Sequence, residues 1–562
     1  MKNQEIAKIL YDMADRFSMD GVAFKPYAYR KAADVLVSEK EDIEKVYQRG
    51  GLKELESMPG IGKHIALKIE EYIKTGKIKQ YELLKRQIPA DVEELTKVEG
   101  VGTMTVKTLY EKLNVKNIKD LKRAAEEHKI APLFGFGDKK EQAILEGIGF
   151  LSKNEGRVSI VVAITETKRI IDYLKAMPEV DNISIAGSLR RMKETVGDID
   201  ILVSSKNSSK VMDYFIKMPG VQKVWGKGKT KTSVRMDRGY NVDLRVVPKS
   251  SFGSALQYFT GSKEHNIALR RVAITKGLKL NEYGVFKGSK KIAGETEQAV
   301  YSALGVDWIP PELREGLGEL NSKLPNLINY NDIKGDLHCH TNWSGGFNSI
   351  EEMARKAMSL GYSYIGITDH TKYLRIENGL DEKRLKEQRK EIDLVNKKLD
   401  IKILQGCEAN ILADGSIDIK DSVLQKLDFV IAGIHSHFKL SRDQMTKRMI
   451  KAMSNPYVDI ISHPTGRIIG KRAEYEIDLN KILTVAKETD TILEINANPS
   501  RLDLNDINIR KAVKAGVKMI INTDAHEERH MDLMNLGVAQ ARRGWASKTD
   551  IVNTKDLTTY FR

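Results

Sequence analysis

The chain has 562 residues, 41% of them hydrophobic and 30% charged, a composition that supports several folded cores. No apolar run approaches the ~18–20 residues of a membrane span, and the charged stretch Met1–Leu10 lacks the apolar region of a signal peptide. Two cysteines, Cys339 and Cys407, are too few for a disulfide framework, so a cytoplasmic protein is expected.

The net charge of +15 is unevenly spread. Residues 1–150 carry 27 basic and 25 acidic side chains, 151–330 carry 29 and 19, and 331–562 carry 36 and 33. Much of the central excess falls between Lys217 and Arg238, which favours a nucleic-acid substrate for that region.

Residues 1–85 read as short amphipathic helices with polar turns. Met58-Pro59-Gly60-Ile61-Gly62 fits a helix-hairpin-helix turn, and Val98-Glu99-Gly100-Val101-Gly102 repeats it about forty residues on. In such a turn the glycines permit a tight loop whose amides meet a DNA phosphate at a helix N-terminus. Residues 151–250 alternate strand-like and helix-like patterns, with Val158–Ile164 and Ile183–Ala186 as strands and Lys168–Ala176 as a helix.

Within that stretch Gly187-Ser188-Leu189-Arg190-Arg191 leads to Gly197-Asp198-Ile199-Asp200-Ile201-Leu202-Val203. In a strand, residues i and i+2 share a face, so Asp198 and Asp200 project together while Ile199, Ile201 and Val203 enter a core. Paired carboxylates repel unless a cation neutralises them. A divalent-metal site beside a phosphate cradle follows, a combination suited to nucleotidyl transfer.

This segment resembles the nucleotidyltransferase signature of the family X DNA polymerases. The resemblance implies that Asp198 and Asp200 hold two ions, Mg²⁺ or Mn²⁺, with Asp243 of Asn241–Pro248 as the third carboxylate. It implies triphosphate contacts from Gly187, Ser188, Arg191 and Gly197. Tyr258-Phe259-Thr260-Gly261 and Asn266 are similar to the family's thumb segment, which contacts the incoming nucleotide, and Arg270 matches a template contact. Phe24–Ala33 resembles the start of the family's small N-terminal domain. There Lys25 matches a phosphate contact and Lys68 the lyase nucleophile, although His64 replaces a family lysine.

Leu317–Lys334 reads as a polar linker. Beyond it histidine use changes: eight of the 11 histidines follow residue 331. Clusters at His338-Cys339-His340, Asp369-His370, Cys407-Glu408, His435-Ser436-His437, His463-Pro464 and Asp524-Ala525-His526 follow apolar, strand-like runs. Repeated βα units with ligands at strand ends imply a barrel with a metal site on one face.

The pattern resembles a PHP domain (polymerase and histidinol phosphatase), a distorted (βα)7-type barrel. The resemblance implies His338, His340, His370, Glu408, His435, His463, Asp524 and His526 as ligands to up to three Mn²⁺ or Zn²⁺ ions. His437 and His530 fall outside it. Where the family continues Thr-x-x-Ser-Asp-Gly after the His-x-His pair, this chain has Thr341-Asn342-Trp343-Ser344-Gly345-Gly346. Gly345 thus stands where a carboxylate ligand is expected. Water or the amide of Asn342 or Asn348 would then donate more weakly, leaving a weakened 3′-5′ exonuclease.

The expected protein is multidomain. It has an α-helical helix-hairpin-helix N-terminal domain at 1–85, fingers at 86–150 and an α/β nucleotidyltransferase palm at 151–250. A thumb at 251–316, a linker at 317–334 and a PHP barrel at 335–562 complete it. Its expected work is filling short gaps in DNA during base excision repair, as a monomer acting on gapped or primer-template DNA with dNTPs. Two alternatives stay open, a DNA-end-binding scaffold and a PHP half that is a small-phosphoester phosphatase.

Overall fold

A computed structural model of the chain describes residues 2–22, 24–39, 41–58, 60–98, 100–153, 156–557 and 561. Pro59 and Glu99 of the two hairpin motifs lie outside the described residues. The chain divides into two compact units, one formed mainly by residues 1–155 and one mainly by 156–562.

The first unit is helical. Helices Lys2–Met19, Lys25–Ser38, Ile43–Ser57, Lys63–Thr75 and Lys79–Gln87 are amphipathic, and the first four enclose a core that includes Ile6, Leu10, Leu36, Leu55 and Ile69. A second core, with Leu95, Val106, Leu121 and Ile144, lies among the helices from Val92 to Lys153.

The second unit opens with a five-stranded mixed sheet. Its strand order is Asn182–Ile185, Asp198–Ser204, Asn241–Val247, Lys231–Met236, Val221–Lys227. The two central strands are parallel, with Asp200 opposite Asp243. Ile199, Ile201, Val203, Val242, Leu244 and Val246 all enter one core, as alternation predicts.

Val158–Ile164, expected as a strand, is strand only at Val158–Ser159; Ile160–Lys175 is a helix. The β-branched run is overridden by a helix cap, since the Ser159 hydroxyl accepts from the Val162 amide. Burial then follows helical spacing through Ile160, Ala163, Thr167, Ile170 and Leu174.

The C-terminal part is built of parallel strands. One sheet holds Gly335–Cys339, Tyr364–Ile367 and Lys402–Gln405; the other holds Glu408–Asn410, Ile431–Gly433, Ile460–Ile461, Ile492–Asn496 and Met519–Asn522. Lys402–Gln405 and Glu408–Asn410 are one run interrupted at Gly406-Cys407, giving seven extended runs. Parallel bridges His370–Glu408 and Cys339–Ala525 join the two sheets at both seams, closing the barrel.

The stretch 317–334 is no free tether. Ile328 is fully buried in the barrel-side core, Glu319 bonds His265 at 2.7 Å, and Leu327 bridges Ser547. Its polar composition misled because Leu320, Leu324, Leu327, Ile328 and Ile333, most of its few apolar side chains, are used in packing.

Candidate active sites

The palm sheet presents three carboxylates together. One oxygen from each of Asp198, Asp200 and Asp243 lies within 4.8 Å of the others. Asp200 is pushed up to about 7, by burial first and then by the like charges of Asp198 and Asp243, with Lys231 and Arg191 opposing. Lys231 forms an ion pair with Asp243. An acidic trio, part-buried at Asp200 and Asp243 and exposed at Asp198, that one lysine only partly balances fits divalent cations.

Gly187 faces this trio. Its φ is +63°, and a Cβ there would fall 2.0 Å from Asp200 Oδ2. Glycine is therefore required both by the backbone and by the space. Ser188 and Gly197 flank the same strand and are part-buried. Arg191 donates to the Thr260 carbonyl and, through Nε, to Glu315 Oε1 at 3.0 Å. Arg190 forms two 2.7 Å bonds to the Glu297 carboxylate, which also receives Arg314 at 2.7 Å.

Gly261, at φ +68°, brings the Phe-Thr-Gly turn against Arg191, where a Cβ would lie 3.1 Å from Nη1. Tyr258 and Phe259 pack edge to face at 5.1 Å. Asn266 is buried, accepting from Gln257 and donating to the Tyr258 carbonyl, both at 2.7 Å. Arg270 is exposed.

In the helical unit, Gly60 (φ +90°) and Gly100 (φ +84°) adopt the left-handed turn that the hairpin motif needs. Gly62 and Gly102 cap helices Lys63–Thr75 and Thr103–Leu113 with no side-chain hydrogen bond, so the first helical amides remain available to an anion. Lys68 is half-buried and its amine is pushed down, by burial first and also by the charge of Lys25, with Glu71 opposing. Lys25 itself is exposed.

The barrel gathers all eight expected ligands around Glu408. Its Oε2 lies 2.9 Å from His370 Nδ1, 3.5 Å from His338 Nε2 and 3.6 Å from His340 Nε2. Its Oε1 lies 3.0 Å from His463 Nε2 and 3.2 Å from His435 Nε2. Asp524 Oδ1 lies 3.3 Å from His340 Nε2, and the His526 ring stacks on His340 at 4.2 Å. Three overlapping groups emerge: His338–His340–Asp524, His370–Glu408–His435 and His340–His370–His526.

These residues fit metal ions. His340 is buried, and neither ring nitrogen has a hydrogen-bond partner. Its imidazole is held well below its usual pKa, by burial and then by His526 and His370, so it is a neutral donor. Burial favours a neutral Glu408, but His435, His338 and His370 keep it ionised. His437 is exposed and lies outside the groups.

Orienting partners went unread in the sequence. Glu494 accepts from His338 Nδ1 at 2.7 Å and from the His463 amide at 2.8 Å, and Asn410 Oδ1 meets His435 Nδ1 at 2.7 Å. The contacts to His338 and His435 fix those rings so that the other nitrogen faces the centre, and the contact to His463 holds its backbone. The available signal was a carboxylate inside the apolar run Ile492–Asn496.

Fold and sites together define a nucleotidyltransferase-type palm and thumb joined to a metal-binding barrel. The chain matches a helix-hairpin-helix domain over residues 1–78, a SAM-like helix-hairpin-helix tandem over 52–114 and 92–149, a DNA polymerase beta thumb over 255–315 and a PHP domain over 336–498. It is 39% identical to the DNA polymerase/3′-5′ exonuclease PolX of Bacillus subtilis, over 99% of this chain and 98% of that protein. Over 34% of the chain it is 36% identical to a probable phosphatase of Caldanaerobacter subterraneus, covering 75% of that protein. A probable phosphatase of Clostridium acetobutylicum is 31% identical over a similar share, covering 78% of its length. The chain belongs to the bacterial family X DNA polymerases that carry a C-terminal PHP domain.

Proposed function

We propose that the protein is a DNA polymerase that fills short gaps during repair and uses its PHP barrel as a 3′-5′ exonuclease. The observation that carries the polymerase reading is the register of Asp198, Asp200 and Asp243 on adjacent parallel strands beside Gly187. When bound, divalent cations supply Lewis-acid charge, at the aspartates for attack by a primer 3′-hydroxyl and at the histidines for attack by water on a phosphodiester.

The side chains do the rest. Asp200 and Asp243 take positions on one face of a rigid sheet, and Ser188, Gly197 and the Arg191 guanidinium border the place of the triphosphate. Tyr258, Phe259 and Asn266 form the wall for the incoming base and sugar, and Arg270 faces the template. Gly60–Gly62 and Gly100–Gly102 offer amides to backbone phosphates, and Lys25 a charge to a 5′-phosphate. Lys68, with its lowered pKa, is suited to Schiff-base lyase chemistry.

In the barrel, Glu408 sits between the histidine groups, and His338, held by Glu494, presents Nε2 inward. The proposed divisions are helical domains at 1–85 and 86–150, palm at 151–250, thumb at 251–316, connector at 317–334 and barrel at 335–562. No described helix is long and apolar enough to cross a membrane. Polymerase relatedness over 99% of the chain favours this reading over the small-phosphoester phosphatase, whose relatives match only about a third.

The test compares a 5′-phosphorylated one-nucleotide gap with an open template-primer. Tighter binding and faster extension on the gap are expected, and equal values on both would overturn the gap-filling assignment.

A further inference from the structure

Two of the three barrel groups contain a carboxylate, Asp524 in one and Glu408 in another, whereas His340–His370–His526 contains imidazoles alone. A divalent cation held only by neutral nitrogens keeps its full charge in a buried place, which is costly. Hard and borderline cations accordingly favour at least one anionic oxygen. The loop after His340 offers none, because Gly345 has no side chain.

The structure shows what fills that space. A Cβ on Gly345 would lie 2.5 Å from Glu377 Oε2 and 3.4 Å from its Cδ. Glu377 ends the short helical turn Arg375–Glu377 in the loop that follows His370. Its carboxylate therefore reaches the spot where a side chain from position 345 would begin.

This placement is built rather than incidental. The two loops are tied together: Arg384 donates to the carbonyls of Asn378, at 2.6 Å, and Trp343, at 2.5 Å, and Asn378 Nδ2 donates to the Trp343 carbonyl at 3.3 Å. The turn Arg375–Glu377 closes on Asn378 in the left-handed conformation. Among the described residues the Glu377 carboxylate has no hydrogen bond or ion pair. Its negative charge is nevertheless felt at His370, together with the larger effects of burial, Glu408 and Asp524. By contrast, Asn348 Oδ1 is already taken by the Glu528 amide at 3.0 Å, so one of the two amides expected as stand-ins is committed elsewhere.

We propose that Glu377 is a metal ligand of the PHP centre, supplying to the His340–His370–His526 group the carboxylate that Gly345 cannot. The glycine and the glutamate form a pair: the missing side chain makes room, and a carboxylate from the neighbouring loop enters it. The inference rests on the metal-centre reading above, and it replaces the expectation of a weakened site with a complete one.

The test is Mn²⁺ content of the full chain after dialysis against graded free Mn²⁺, read by elemental analysis. Glu377→Gln keeps size and polarity but loses the charge. It should hold one Mn²⁺ fewer per chain at free concentrations that saturate the unaltered protein, or bind that ion at least tenfold more weakly. Adding Gly345→Asp to Glu377→Gln should restore the ion, which also shows that its loss was not a failure to fold. An unchanged Mn²⁺ titration in Glu377→Gln would overturn the proposal. So would a loss that Gly345→Asp leaves uncorrected. If the unaltered chain itself held no tightly bound Mn²⁺, the metal-centre reading would fail instead, so the two failures are distinguishable.

Discussion

Glu494 shows how much a single buried carboxylate can decide. It holds His338 Nδ1 at 2.7 Å, accepts the His463 amide at 2.8 Å and receives Asn496 and Asn522 side chains at 3.0 and 3.1 Å. One carboxylate thus sets the ring of His338 and holds the backbone at His463. Glu494→Gln should weaken Mn²⁺ binding by the barrel about 10–100-fold while primer extension persists, as isothermal titration and an extension assay on one preparation would show. The histidine and acid clusters of the barrel were legible in the sequence, because they recur at the ends of apolar runs. Glu494 was not, since it acts through a neighbour distant in the chain. Glu494 reaches His338 across 156 positions, and nothing local marks that contact.

At the scale of elements, palm and thumb are fastened by the Glu297 carboxylate. It sits between Arg190 and Arg314, with Trp308 Nε1 at 3.2 Å. Burial alone would raise its pKa, but the two guanidinium groups hold it at about 2. A carboxylate depressed in the folded state stabilises the fold above its unfolded pKa and loses that effect as pH falls through the folded one. The shift corresponds to ~3 kcal/mol. Glu297→Gln should therefore lower stability by about that amount at pH 7, and the gap should shrink as pH drops from about 4.5 towards 2. Urea unfolding at pH 7, 4 and 3 would measure it, and a gap independent of pH would count against the account. The palm strands were readable from alternation around Asp198 and Asp200. Of the helix Ile160–Lys175 only the part from Lys168 on was, because Val161 and Val162 look like strand until the Ser159 cap is considered.

At the scale of the molecule, the polymerase part and the barrel share one unit. Leu502 and Leu536 of the barrel enter the palm core, and Arg467 pairs with Glu194 at 2.6 Å. Arg543 donates to Glu315 at 2.9 Å and to the Arg191 carbonyl at 2.7 Å, and it also pairs with Asp506. Glu315 in turn accepts from Arg191. Removing Arg543 leaves Glu315 to Arg191 and Lys193 alone, so Arg191 is released less readily to a triphosphate. Arg543→Met should raise KM for dNTP several-fold with kcat little changed, in steady-state extension. Such links between distant segments leave no trace in local sequence pattern, which is why the connector 317–334 read as a polar tether.

On the proposed function, one chain carries two separate metal-dependent chemistries on DNA. A single gapped duplex with a labelled primer, incubated with dNTPs or without, reports both. Asp243→Ala should lose extension by about three orders of magnitude or more while still shortening the primer without dNTPs. His340→Ala should extend the primer normally and leave its 3′ end intact. Extension by Asp243→Ala at the unaltered rate, or loss of both activities in either variant with folding preserved, would contradict the account.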